Sequence, residues 1–495
     1  MSWLLAAPIL IPFATAILLW LAPARWLGVA GVLALLAASI SLLVEVASRG
    51  VIATQIAGWS APFGITLVAD HLSAFMVVIT AILGLATAIY ALPELERPQR
   101  AGGFDPLFQI LLGGMCGAFL TGDLFNLYVW FEVMLIASFA LLVLGGQARQ
   151  LDAAIKYATL NLFSTVLMLA GVGLLYGLTG TLNMADLHLQ VREIDNPGLL
   201  STIAVLFLVA LGIKAAVFPL FFWVPATYPT PPVAVSAIFA GLVTKVGVYA
   251  LLRVFTVIFT HDVGYTHSVL LGVAALTMVT GVLGAVSQNE FRRILSFHSI
   301  SQIGYMVLGL GLWTPLALGG AVFFMAHHSV VKANLFLVSG AAARLAGSYQ
   351  LKELGGLYRA RPLLAILFLV SAFSLGGMPP LTGFWGKLVL VKASLEVGHY
   401  LLAAVALAVG LLTLFSMAKI WTEAFWKPRP DGAGGLPPAP GWSESVLLLA
   451  PIGALAGLIL ASGLWFEPIL AFVLSAGEQL MDPTAYVRAV LGVVR

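Results

Sequence analysis

Apolar residues fill the chain in long blocks, separated by short stretches where charge, proline and glycine gather. A helix that crosses a bilayer needs roughly 20 apolar residues. On that rule the blocks predict about fourteen spans: 3–21, 27–47, 70–92, 105–122, 124–144, 154–178, 198–224, 231–257, 264–287, 294–313, 315–343, 361–392, 399–426 and 444–474. An even number puts both termini on one side. Gly122-Asp123 divides 105–144, which otherwise reads as one helix. Residues 48–66 alternate weakly and hold Gly58, Pro62 and Gly64, which predicts a short hairpin outside the membrane. Residues 183–196 predict a short amphipathic helix at the interface, and 427–443 a linker rich in Pro and Gly.

Composition agrees with an all-α polytopic membrane protein. The chain has 495 residues, is 61% hydrophobic and only 9% charged, where soluble domains are roughly 25% charged. The start, MSWLLAAPILIPF, lacks a basic region and a small-residue cleavage site, so it is expected to stay as the first helix. A net charge of +3 argues for no nucleic-acid partner. One cysteine, Cys116, offers no disulfide framework, haem motif or iron–sulfur ligand set, so no cofactor is expected. Counted by loop, 13 Lys and Arg fall on the odd side and 6 on the even side. The odd side is then cytoplasmic, and both termini face outward.

Five helices lie between 105 and 257, and five more between 264 and 426. An odd-numbered unit repeated in tandem must be inverted in the membrane. The expected division is 1–104 for the first three helices, 105–257 and 258–426 for two five-helix repeats, and 427–495 for linker, last span and tail. Each repeat carries a lysine beside a predicted helix break: Lys214 before Pro219, and Lys387 after Pro379-Pro380. Proline lacks the amide a helix needs.

Five lysines fall inside predicted spans: Lys214, Lys245, Lys332, Lys387 and Lys419. A charge near the bilayer centre costs about 3 kcal/mol or more, so such residues usually line an internal path. Glu132 is the acid well inside a span. It is either a carboxyl held neutral or bonded to a neighbouring helix, or the partner of Lys214. Burial disfavours the ammonium and a nearby carboxylate favours it; a lysine between the two changes protonation at little energy. His328 and Lys332 are four residues apart and share a helix face. With His327 they suit a proton relay better than a metal site, since no carboxylate stands at ligand spacing; the alternative is a purely structural pair of histidines. His298 is either a relay member or a surface group near the headgroups. Lys387 either belongs to the relay or snorkels outward. Lys419, four residues before Glu423, reads as half of a helix-surface ion pair or as a snorkelling lysine, with a site as the lesser alternative, and Lys156 as an interfacial anchor.

Three stretches carry a family resemblance: GDLFNLYVWFEVMLIASFALL, GIKAAVFPLFFWVPATYPTPPVAVSAIFAGLVTKVGVYALLR, and FHSISQIGY followed by HHSVVKANLFLVSG. They resemble the proton-translocating antiporter-like subunits shared by respiratory complex I, membrane-bound hydrogenases and the multisubunit Mrp-type sodium/proton antiporters, above all the D subunits of the last. The likeness runs from about residue 70 to 425. It implies a relay of Glu132, Lys214, Lys245, His328, Lys332 and Lys387, with His298 and His327 as further candidates. It also implies a non-redox transport subunit of a larger complex in a bacterial plasma membrane. Its partners would be other subunits, protons, sodium ions and lipid. About twenty residues follow position 474, which leaves no room for the long lateral helix of the largest complex I relative. Two rivals stand beside the antiporter. One is a subunit of complex I or of a hydrogenase, powered by electron transfer elsewhere. The other is a non-conducting scaffold, which has no need of mid-span lysines.

Overall fold

The computed structural model describes residues 2–430 and 441–492. The first elements are α1 (Ser2–Leu21), α2 (Arg25–Arg49), the strands β1 (Ile52–Gln55) and β2 (Thr66–Ala69), α3 (His71–Glu94) and the short α4 (Arg97–Ala101). The two strands form the expected hairpin, antiparallel, with Ile52 opposite Ala69 and Gln55 opposite Thr66. Next come α5 (Phe104–Leu120), α6 (Leu124–Leu142), α7 (Ala148–Thr179), the interfacial α8 (Met184–Gln190), α9 (Pro197–Ala215) and α10 (Trp223–Thr227). Asp123 caps α6 by accepting from the Asn126 amide, 2.8 Å, so Gly122-Asp123 is the break that separates α5 from α6.

One 25-residue helix follows, Val233–Val257. It consists of α11 (Val233–Ile238), a π-turn over Phe239–Val243, and α12 (Thr244–Val257). The second half of the chain holds α13 (Val263–Ser287), α14 (Phe291–Leu312), α15 (Pro315–Ala346), α16 (Leu357–Ala360), α17 (Pro362–Gly376), α18 (Thr382–Glu396) and α19 (Tyr400–Ile420), which runs into a second π-turn at Trp421–Trp426. The last elements are α20 (Trp442–Leu464), α21 (Phe466–Met481) and α22 (Thr484–Leu491).

Among the described residues, twelve helices are long and apolar enough to cross a membrane, and α5 and α17 are shorter apolar helices. The chain is a multi-pass membrane protein. The block predicted as 444–474 is two helices, because α20 ends at Leu464. Pro468 sits in the first turn of α21, where a missing amide costs nothing. Most of the predicted linker 427–443 lies outside the described residues.

Burial decides which helices can carry charge. Every residue of Val233–Val257 is buried, as is every residue from Ala317 to Ala343, and α14 is nearly enclosed. By contrast α2, α7 and α13 bury one face and show the other to lipid. Polar side chains are tolerated at membrane depth where protein surrounds them. The three enclosed helices carry Lys245, His298, His327, His328 and Lys332.

Two spans are interrupted. α9 stops at Ala215, and Ala216 takes a left-handed conformation, φ 60°. For a residue with a Cβ this costs about 1–2 kcal/mol, and surrounding bonds hold it. Val217 N–H donates to Gly212 O, 3.0 Å; Trp223 Nε1 to Ile213 O, 2.9 Å; Phe218 N–H to Thr277 Oγ1, 2.9 Å. Pro219 lies beyond the helix end, inside the unwound segment. The second interruption separates α17 from α18. Gly377 makes the turn at φ 91°, and Pro379-Pro380 occupy the unwound residues. Freed polar groups at this depth must find partners within the protein. Gly377 and Met378 both donate to Phe373 O, 3.0 Å each.

Candidate functional site: a buried line of titratable side chains

Glu132 and Lys214 meet through a third residue. Thr165, on α7, donates its hydroxyl to Glu132 Oε1, 2.7 Å, and accepts from Lys214 Nζ, 3.2 Å. One hydroxyl thus joins acid to base with its single proton and a lone pair. The Lys214 ammonium also lies 5.0 Å from the centre of the Phe131 ring. Ser164, beside Thr165, bonds Ala210 O at 2.6 Å and braces α7 against α9. The pairing read from sequence is therefore mediated, and Thr165 was missed. Nothing in the spacing links residues 132, 165 and 214; only the packing of α6, α7 and α9 does.

Gly247 carries the line to the next lysine. A Cβ there would fall 2.5 Å from Ala215 N and 2.6 Å from Lys214 C, so only glycine lets α12 touch the end of α9. Lys245 lies on that same helix, fully buried. Its ammonium donates to Ala240 O, inside the π-turn, and faces Thr244 Oγ1 at 3.5 Å. π-turns inside α-helices are frequent at functional sites.

Lys332, fully buried on α15, donates to Leu295 O on α14 at 2.9 Å. His328 lies one turn before Lys332 on α15, its ring parallel to that of Phe324 at 6.4 Å. His298 is fully buried, which removes the surface reading. Among the described residues, neither ring nitrogen of His298 or of His328 has a protein partner. Buried polar groups normally have one, and rings without one can take and pass protons through water.

His298, Gln302 and Tyr305 lie buried along one face of α14. Their spacing of four and then three residues is that of a single helix face, a signal the sequence offered and our reading did not use. The Tyr305 ring lies 5.4 Å from the Lys387 ammonium. Lys387 does not snorkel: Nζ donates to Leu375 O, 2.8 Å, and Gly376 O, 3.1 Å, the last carbonyls of α17. A helix C-terminus carries partial negative charge and suits a cation. His327 turns away from His328, and its Nδ1 meets Thr382 Oγ1 at 2.8 Å. Thr382 in turn meets Ser374 Oγ at 3.0 Å, so His327 faces the second interruption.

Two other expectations are settled by contacts. Lys419 does not pair with Glu423. It donates to Val286 O, 3.2 Å, and Gln288 O, 2.7 Å, at the end of α13, while Glu423 pairs with Lys427 at 2.5 Å. Lys156 pairs with Asp152 on the exposed start of α7, 2.6 Å, as an interfacial anchor should. Among the described residues no group of three His, Cys, Asp or Glu could hold a metal ion.

Known proteins share the family and the fold. Residues 121–413 match the family model described as NADH:quinone oxidoreductase/Mrp antiporter, TM. Among the Na(+)/H(+) antiporter D subunits, that of Alkalihalophilus pseudofirmus is 47% identical, over 99% of this chain and 100% of that protein. A chain of the Mrp complex from Dietzia sp. DQ12-45-1b superposes with a TM-score of 0.90 at 36% identity, covering 99% of this chain and 100% of that one. A chain of respiratory complex I from Thermus thermophilus gives 0.83 at 25%, covering 97% and 100%. The chain belongs to the NADH:quinone oxidoreductase/Mrp antiporter transmembrane family.

Proposed function

We propose that the chain is the proton-conducting subunit of a multisubunit monovalent cation/proton antiporter in a bacterial plasma membrane, with both termini outside. Protons move along the line Glu132, Lys214, Lys245, His328, Lys332 and Lys387, with His298 and His327 beside it, and their inward flow drives sodium efflux. Residues 105–257 and 258–426 act as the two inverted units. The observation that carries the reading is the hydrogen-bonded trio of Glu132, Thr165 and Lys214. An acid and an amine joined by one rotatable hydroxyl can exchange charge without leaving the protein interior. The likeness to antiporter D subunits supports the same reading.

The structural likeness to a complex I chain favours a second reading, in which the same line serves an electron-driven proton pump. One experiment separates them. The native complex is purified, its subunits identified and its iron content measured. Sodium-dependent dissipation of a proton gradient is then followed in inverted vesicles. Antiport by an iron-free complex is the expected result. Co-purifying iron–sulfur subunits, or a gradient unaffected by sodium, would overturn the antiporter reading.

A further inference from the structure

The helix that carries Lys245 is pinned at both ends by α3, a helix outside both five-helix runs. Glu94, the last residue of α3, accepts from the Val233 and Ala234 amides at 2.5 and 2.8 Å. Amides in a first helical turn lack intrahelical partners, and a carboxylate there complements the helix dipole. The Pro turn before Val233 is also held, since Arg292 Nη1 donates to Pro231 O at 2.9 Å. At the other end Asp70, the N-cap of α3, pairs with Arg253 at 2.6 Å, both nearly fully buried. Arg253 also donates to Tyr249 Oη at 3.3 Å, and the Tyr486 ring of α22 covers its guanidinium at 5.1 Å. At 1.5 Å per residue α3 is about 36 Å long and the stretch from Val233 to Arg253 about 30 Å, so the long reach of arginine makes up much of the difference.

Between the two pins lies the π-turn Phe239–Val243, with Lys245 just beyond it. A π-turn holds one residue more than the α-helical turn it replaces. Absorbing that residue would rotate one side of the helix against the other by about 100°. With both ends fixed, the Lys245 ammonium keeps one direction, onto Ala240 O.

We propose that Asp70 and Glu94 are positioning residues for the relay: α3 clamps the Lys245 helix at both membrane faces and thereby fixes where Lys245 points. The proposal rests on the relay reading above. Glu94 also lines a polar cavity of about 590 Å³ with Tyr90, Arg344 and Tyr349.

The test uses the whole assembled complex with Glu94→Gln. Amide exchange over 233–245 is measured on the purified complex, and antiport with its pH profile in inverted vesicles. We expect exchange over 233–243 to quicken about tenfold, with assembly on a native gel unchanged. Antiport per assembled complex should fall about tenfold, and its half-maximal pH should move. A merely structural role would lower the amount of complex without moving that midpoint. Arg253→Lys should keep most of the activity that Arg253→Gln loses; if Arg253→Gln does not assemble, Glu94→Gln decides alone. Unchanged exchange, or full antiport with an unmoved midpoint in the assembled Glu94→Gln complex, overturns the clamp. Full antiport in Glu132→Gln would instead sink the relay reading, and the exchange result does not depend on it.

Discussion

The two interrupted spans place a lysine ammonium in the protein interior by different chemistries. At the first, Lys214 precedes the break and is met by side chains: the Thr165 hydroxyl, and through it the Glu132 carboxylate. At the second, Lys387 follows the break and is met by backbone, the carbonyls of Leu375 and Gly376. Backbone carbonyls at a helix end offer fixed partial charges. A hydroxyl that turns, and a carboxylate that carries a full charge, can change state. On the relay reading proposed above, the first break would adjust the charge of its lysine and the second would receive the proton. The backbone turns differ in the same sense. Ala216 is held left-handed by its surroundings, whereas Gly377 adopts that conformation freely.

The sharpest way to break this comparison is to remove the full charge from the first site alone. Glu132→Gln keeps an oxygen that can accept from Thr165, so the geometry survives. We expect sodium-dependent antiport in inverted vesicles to disappear while the complex still assembles on a native gel. Normal transport would make the two sites equivalent and the acid dispensable. Next in size is Lys214→Arg. Arginine stays protonated at any working pH, so a site that must release a proton fails, by about a hundredfold or 2.7 kcal/mol. If Lys214 only balances Glu132, arginine will serve, and Lys214→Ala will be the worse change because it strands the acid. Measuring both variants from about pH 7 to 9 separates the cases.

A third comparison lies between the breaks, on α15. Lys332 bonds Leu295 O and shares a face with His328, whereas His327 bonds Thr382 at the second break. Lys332→Ala should cost about thirtyfold in antiport and His327→Ala only a fewfold, at equal expression. Equal or reversed losses would show that the line runs through the second break itself.

The spans were legible because lipid demands long apolar runs, and a run such as 315–343 leaves no other structure open. The charged candidates stood out for the converse reason: a lysine such as Lys245 or Lys332 amid apolar neighbours is costly inside a membrane. What stayed hidden depends on packing between distant helices. Thr165 looks like any threonine on a helix until α7 lies between α6 and α9. The π-turn before Lys245 leaves no mark in a uniformly apolar stretch. Glu94 and Asp70 sit at span ends, where acids are common, so their grip on Val233–Val257 could not be read. The turn at Trp465 was missed because hydropathy continues across it.

The smallest effect tests the finest part of the comparison, the hydroxyl itself. Thr165→Val keeps the shape and removes both the bond to Glu132 and the bond from Lys214. A hydrogen bond to a charged group contributes about 1.5–3 kcal/mol, and leaving a buried charge short of a partner costs as much. If the two charged groups then closed directly on each other, Coulomb attraction would offset part of that loss, at the expense of a tighter and less exchangeable pair. We therefore expect about a tenfold fall in antiport rather than its disappearance. Thr165→Ser restores the hydroxyl without the methyl and should recover most of the activity. That pair of variants isolates the bridge from the bulk of the side chain. The matching change at the second break is Thr382→Val, which cuts His327 from Ser374 but leaves the carbonyls on Lys387 untouched. If the first break adjusts charge and the second receives it, Thr165→Val will lower antiport more than Thr382→Val in the same vesicle assay. A reversed order would mean that the adjustable site is the one at Lys387.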